Sequence, residues 1–422
     1  MITLLIILLA FDLLVMVYIF NTKAGMKYNS VSVMIYLWIV LMVMSSIFGE
    51  HIGFYPLDVS CVFFAFLFLT VILFTANAVI VKKDHCIESQ TDSIASIDEL
   101  VIYKVSVAFF LLYIGSNYFY FKNLGKYIPI SNLLGNLWRW KNLVLTGMFS
   151  ENSILYIGKN LGFIGLILSI NFIKNKSSNK ILRRLVSIVM LLTYIAITFL
   201  NPRRDPMIDK VIYVAVPFVY IYRKETKKLL KIAVPIAFFF AIAFVVIADS
   251  MSFGSYNMVE MLGRYTFAAF NSMQKALDVG YNSNSELILS NTFYYIYMIL
   301  KYIVPQLAPP AIILDGLGSD TGNIYTSLIA PYIDSGGSIL VFMGCVIIYA
   351  IYIGVVNGVA INLVRKETIS GYVFYAAVFA CAVRSFYNPT FSYAEVLFGA
   401  VYAVLLSVAL PKMITKDIGK NL

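Results

Sequence analysis

The chain has 422 residues, of which 60% are hydrophobic and 15% aromatic, with only 13% charged. A soluble domain carries about a quarter charged residues, so a soluble enzyme is excluded and an integral membrane protein is expected. The net charge of +10 comes without any basic, aromatic-interleaved domain. No nucleic-acid partner is expected, and the excess is assigned to cytoplasmic loops.

Apolar runs of about 17–24 residues predict helices, not the alternating strands of a barrel. Met1 to Phe20 lacks a basic leading stretch and a small-residue cleavage site, so it is expected to stay as the first span. Asp12 stands alone within it, and a helix–helix hydrogen bond is its expected use. Spans are expected at residues 2–20, 31–49, 58–81, 101–121, 153–173, 184–200, 207–222, 229–248, 336–357, 370–385 and 392–410, about 11 in all. The run 207–222 is short and follows a Pro-Arg-Arg-Asp-Pro turn, which suggests a tilted or broken helix.

Lysine and arginine placement orients the chain. Lys174, Lys176, Lys180, Arg183 and Arg184 fill one loop, and Arg223, Lys224, Lys227, Lys228 and Lys231 fill another two crossings later. Both are expected in the cytoplasm, with Lys23/Lys27, Lys82/Lys83/Lys104, Arg365/Lys366 and the C-terminal tail. The N-terminus then lies outside and the C-terminus inside. The chain reads as three parts: N-terminal membrane helices at 1–248, a large outer loop at 249–335, and C-terminal membrane helices at 336–422. Within or beside the outer loops, residues 258–278, 286–307 and 126–148 read as helices lying at the membrane surface.

Chemistry is sought among charges that break the positive-inside pattern. Arg203 and Arg204 sit between two prolines in an outer turn, Arg264 lies on the 258–278 helix, and Arg384 lies at the outer end of a span. Guanidinium forks match phosphate oxygens and stay charged, so these four are candidate ligands of a phosphate or pyrophosphate. Lone arginines at an interface also snorkel to headgroups. Asp205, Asp320, Asp334 and Glu395 are the outer acids, and a glycosyl transfer would use such a carboxylate as base. Each has an ordinary use as well. Asp334 is placed to cap the next helix, Glu395 to complement a helix N-terminus, and Asp205 to pair with its arginine neighbours. Cys61, Cys86, Cys345 and Cys381 are scattered, and His51 and His85 have no ligand spacing, so neither a metal nor another cofactor is expected. The glycines at 316, 318, 322, 336 and 337 form neither a P-loop nor a dinucleotide fingerprint.

The stretch Gly322-Asn323-Ile324-Tyr325-Thr326, followed by Pro331-Tyr332-Ile333-Asp334-Ser335-Gly336, resembles the oligosaccharide repeat-unit polymerases of bacterial surface polysaccharide, the O-antigen (Wzy-type) polymerases. The pair Arg203-Arg204 in an earlier outer turn fits the same pattern. The resemblance implies an all-α polytopic enzyme like a C-type glycosyltransferase, in the bacterial cytoplasmic membrane. Such an enzyme moves a glycan from undecaprenyl pyrophosphate onto an incoming lipid-linked repeat. By the same resemblance, Arg203, Arg204, Arg264 and Arg384 would hold the pyrophosphate. Asp334 or Glu395 would serve the acceptor hydroxyl, Asn323, Tyr325 and Thr326 would belong to the glycan loop, and a chain-length regulator would be a partner. An O-antigen ligase and a lipid-linked oligosaccharide flippase are the rival functions, with a purely structural membrane partner as the third.

Overall fold

The computed structural model describes residues 2–81, 98–129, 143, 161–175, 181–199, 204–221, 263, 266, 268–280, 287, 289–307, 325–392 and 395–418. The described residues are helical, without a strand among them. The long helices are α1 (Ile2–Ala24), α2 (Ser30–Phe48), α3 (Val59–Val79), α4 (Glu99–Leu124), α5 (Phe163–Asn175), α6 (Ile181–Phe199) and α7 (Arg204–Ile221). They are followed by α8 (Ala268–Val279), α9 (Tyr294–Leu300), α10 (Ile329–Asp334), α11 (Ile339–Val364), α12 (Ile369–Arg384) and α13 (Glu395–Ile418).

Six of these, α1, α2, α3, α4, α6 and α11, are long and apolar enough to cross a membrane. Of the other expected spans, α5 comes out shorter than 153–173 among the described residues, while α12, α7 and α13 match or exceed the lengths expected of them. At about 1.5 Å per residue, 13-residue α5 and 16-residue α12 reach less than the roughly 30 Å of a hydrocarbon core. Helix α7 has 18 residues with Pro217 inside it. The expected span at 229–248 lies outside the described residues, as does the surface helix read at 126–148 apart from its first residues.

Contacts divide the chain into two units that do not follow its order. One comprises residues 1–88, 259–366 and 377–400, and the other 89–258, 367–376 and 401–422. Within the first unit one helix pair joins distant parts of the chain.

In the first unit, α3 and α11 run side by side in the same direction. Phe64 meets Phe342 with ring centroids 4.4 Å apart, and Val81 N–H donates to Asn362 Oδ1 at 3.3 Å. Between these points lie Gly354 and Gly358, one turn apart. A Cβ at Gly354 would stand 2.6 Å from Thr75 Cβ and 2.8 Å from the Ile72 carbonyl oxygen. One at Gly358 would stand 2.7 Å from Val79 Cβ. Two small residues four apart are what lets membrane helix backbones come this close, where water supplies no hydrophobic drive between them.

Polar residues close both ends of that pair. At one end Asn362 Nδ2 donates to the Val79 carbonyl at 3.0 Å, Arg365 Nη1 donates to the Val81 carbonyl at 2.8 Å, and Lys23 donates to the Asn77 carbonyl. At the other end stand Glu50, Asp58 and Asp334. Lys23, Asn362 and Arg365 thus meet at one end of this helix pair.

Local signals set the turns. Asn29 caps α2 reciprocally, with its Oδ1 accepting from Ser32 N–H and Ser32 Oγ accepting from Asn29 N–H, both at 3.0 Å. Asp58 caps α3 through Val59 N–H at 2.7 Å, and Asp98 caps α4 through Leu100 N–H at 2.7 Å.

Helix α8 corrects the surface helix expected at 258–278. Instead of lying on the membrane face, it is buried from Ala268 through Gln274, and again at Ala276. Its polar side is used, not wetted. Asn271 Nδ2 donates to the Tyr55 carbonyl at 2.6 Å, and Ser45 Oγ donates to Asn271 Oδ1 at 2.7 Å. Gln274 Oε1 accepts from the backbone of Asp58 at 3.2 Å and Cys61 at 3.1 Å. These bonds tie α8 to the ends of α2 and α3. Gln274→Leu leaves those buried N–H groups without their acceptor. It is expected to lower stability by about 2–3 kcal/mol, read as an earlier unfolding midpoint in detergent.

Helix α9 has seven residues, too short to cross. Its neighbours Tyr302, Ile303 and Val304 are exposed.

In the second unit α5 is enclosed from Phe163 through Asn171 except for its last turn. The Tyr113 and Tyr194 rings, on α4 and α6, pack in a tilted arrangement with centroids 4.6 Å apart, and their hydroxyl bonds run to Thr198 and the Gly162 carbonyl. Gly165 leaves the space for Tyr194, since a Cβ there would lie 2.6 Å from its ring.

Candidate functional site

The residues that sequence reasoning placed in two separate stretches meet in the first unit. Helix α12 ends at Arg384, and the chain then folds through Ser385 to Ser392 before α13 begins at Glu395. Onto this turn the 325–328 segment is fastened. Ser327 N–H and Oγ both donate to the Ser385 carbonyl at 2.8 Å, and Ser327 Oγ also reaches the Asn388 carbonyl at 3.1 Å. Trp38 of α2 supports the turn from below, with its indole N–H donating to Ser385 Oγ at 2.8 Å. The Trp38 ring packs against Phe68 and Phe270.

Beside this junction Arg384 Nη2 donates to Glu395 Oε1 at 3.2 Å. The two side chains are unequal in setting, at 2% exposed for the arginine and 33% for the glutamate. Glu395 Oε2 is enclosed and accepts no hydrogen bond within the described residues, and neither does the hydroxyl of buried Thr326. Tyr325 is buried next to it. So Tyr325 and Thr326 of the glycan-loop reading lie with the 385–392 turn that joins Arg384 to Glu395. Arg384 itself faces a carboxylate, and of the pair it is the Glu395 side chain that is partly exposed, with its Oε2 enclosed.

Asp334 departs from its expected use as a helix cap. It does not cap α11, whose N-cap is Ser338. It is the last residue of α10, and its carboxylate accepts three hydrogen bonds. Oδ1 takes Asn291 N–H and Asn291 Nδ2, each at 2.9 Å, and Oδ2 takes Thr292 N–H at 2.7 Å. The anion thereby holds the turn ahead of α9, just after Leu289, a non-glycine residue with φ 55°. Hydrogen bonds to a charged group are worth about 1.5–3 kcal/mol each. Asp334→Ala is therefore expected to cost about 3 kcal/mol and to open residues 287–307 to limited proteolysis, with Asp334→Asn milder.

At the same end of the unit, the Tyr55 hydroxyl donates to Asp278. That bond, then desolvation and the neighbouring charges of Asp278 and Asp58, pushes the phenol above its ordinary range.

Arg203, Arg264 and Asn323 lie outside the described residues. Arg204 opens α7, and its side chain and that of Asp205 are likewise outside them. Two turns further along α7 is a residue that sequence reasoning passed over. Lys210 is 2% exposed, with its ammonium 5.4 Å from the centre of the Tyr113 ring. Its signal was available, since a lysine inside an apolar helix is costly and usually faces an interior or a partner. Asp12 also departs from expectation. It points away from the bundle and makes no hydrogen bond to another helix of this chain among the described residues.

Among the described residues no group of three His, Cys, Asp or Glu is placed to hold a metal ion. Comparison of the chain with family models, with curated proteins and with solved structures finds no match.

Proposed function

We propose that the chain is a repeat-unit polymerase of bacterial surface polysaccharide, acting on undecaprenyl-pyrophosphate-linked glycans at the outer face of the cytoplasmic membrane. One observation carries the reading. The Tyr325-Thr326-Ser327 segment of the polymerase-like stretch is fastened to the turn joining Arg384 to Glu395. Helical architecture among the described residues, with six helices long and apolar enough to cross a membrane, is in keeping with it.

In this mechanism the acceptor hydroxyl at the non-reducing end of the incoming repeat gives its proton to the Glu395 carboxylate, whose side chain is 33% exposed. Its oxygen bonds to the donor's anomeric carbon as the bond from that carbon to the pyrophosphate oxygen breaks. Arg384 holds Oε1 and so orients the base, a positioning role rather than a part of the phosphate clamp. Arg264, in the same unit as Glu395, takes the charge that develops on the departing undecaprenyl pyrophosphate. Asp334 has both oxygens engaged by backbone and amide N–H groups, so Glu395 is the base of choice. Tyr294, Tyr295, Tyr297 and Tyr302 offer surface to sugar rings.

The test is the polysaccharide profile on a gel after deletion of the gene and its restoration. Deletion is expected to leave single repeats, and wild type to rebuild the ladder. Glu395→Gln is expected to lower chain growth by about 10²–10⁴-fold, the usual worth of a general base. Arg264→Ala is expected to fail as well. A full ladder from Glu395→Gln overturns the assignment of the base. Loss of even the single capped repeat on deletion indicates a ligase, and repeats trapped on the inner leaflet indicate a flippase.

A further inference from the structure

Helix α1 has two faces of opposite use. Ile6, Leu13, Val17 and Phe20 are buried against the rest of the unit. Across from them Leu4, Leu8, Phe11, Val15, Tyr18 and Ile19 form an exposed apolar ridge. Of the six apolar helices, α1 has the smallest buried share. An apolar ridge alone asks only for lipid. Asp12 is exposed on the same side, one turn from Leu8 and from Val15.

Its depth is the difficulty. Ten residues precede Asp12 in α1 and twelve follow it. At about 1.5 Å per residue, it stands roughly 15 Å from one end and 18 Å from the other. That is the middle of a hydrocarbon core about 30 Å thick. An aspartate there is among the most costly placements in a span, and a side chain this short cannot snorkel to the headgroups. Among the six apolar helices the only other acid is Glu99, the first residue of α4. Asp12 has no hydrogen bond or ion pair within the described residues.

We propose that this face of α1 docks a membrane helix of a second protein, one that carries a lysine or arginine midway through its span. Charge complementarity selects that occupant over another copy of this chain. Two copies share one orientation in the membrane, so a symmetric α1–α1 contact would set Asp12 beside Asp12. The basic residues of the six apolar helices are Lys23, Lys104, Lys122, Arg183 and Arg184. All lie within about two turns of a helix end, so none matches the depth of Asp12. The inference rests on α1 crossing the membrane and not on the polymerase reading.

The test places a photo-crosslinking benzophenone side chain at Val15 in the full chain, expressed in its native membrane. A control probe sits at Leu340, which is 73% exposed on α11. The Val15 probe is expected to give one adduct of discrete mass that differs from twice the chain mass, and the Leu340 probe none. Asp12→Leu and Asp12→Lys are expected to lower adduct yield at least tenfold, while Asp12→Glu keeps it. The captured helix should hold a basic residue near its centre. Exchanging that residue for aspartate should restore the adduct with Asp12→Lys. An adduct of twice the chain mass overturns the proposal in favour of a homodimer. Lipid adducts alone, unchanged in Asp12→Leu, overturn it in favour of a lipid-facing helix.

Discussion

Gly354→Leu is expected to unfold the first unit of this protein in mild detergent, or to keep it from assembling in the membrane. A Cβ at this position already falls 2.8 Å from the Ile72 carbonyl oxygen. That atom is backbone, inside a helix, and has no rotamer by which to yield. Leucine would add three further carbons on the same side, so α3 and α11 would have to separate along much of their length. Overpacking of a core costs about 1–3 kcal/mol when side chains can shift. Here a helix must shift, and at least about 3 kcal/mol is expected. Gly354→Ala should cost less but remain measurable, and Gly344→Ala on the same helix, where nothing lies within 4 Å of the added carbon, should cost little. Unfolding midpoints of the three purified variants would show the order. Equal midpoints for Gly354→Leu and Gly344→Ala would mean that the helices do not touch at Gly354.

The Arg384–Glu395 pair gives the second large effect, through its asymmetry. Glu395 is a third exposed, so without its partner it still meets water. Arg384 is enclosed, so loss of the carboxylate removes the anion that balances a buried charge. Breaking a buried pair from the accessible side is worth about 3–5 kcal/mol. Glu395→Gln is expected in that range, and Arg384→Met at about 1–2 kcal/mol because the glutamate rehydrates. The double variant Arg384→Met/Glu395→Gln should regain most of the loss seen in Glu395→Gln alone, the sign of a direct coupling in a double-mutant cycle. It also separates fold from chemistry, since it should be stable and yet leave single repeats on the gel. Additive single effects would mean that the two charges do not act on each other.

The six strongest spans were legible because an apolar run of twenty or more residues has few other uses. Helix ends were legible where a short polar residue precedes such a run, as at Asn29 and Asp58. The pairing of α3 with α11 was also written, as Gly354-x-x-x-Gly358 within an apolar segment, but only a contact partner gives that spacing a meaning. Helix α8 misled for a physical reason. Asn271 and Gln274 look like a wet face until the ends of α2 and α3 supply their hydrogen bonds. The site was half legible. Tyr325, Thr326, Arg384 and Glu395 were each singled out, but that Ser327 would fasten the first two to the turn between the last two depends on contacts 58 and 61 positions apart. Asp334 was chosen for its charge, and its use was set by Asn291 and Thr292, which no local pattern connects to it.

The parallel pair has a consequence in time. Val81 and Asn362, which join its ends, are 281 positions apart. At about 5–20 residues per second of synthesis, α3 waits roughly 15–55 s for its neighbour. During that interval it must sit in the bilayer with the face that will meet Gly354 and Gly358 against lipid tails. Nothing in α3 makes that wait costly: it carries no charged side chain, and each backbone group inside the helix is already bonded. Assembly of this unit is therefore a late event. It follows insertion of the separate helices, and α11 closes it near the end of translation.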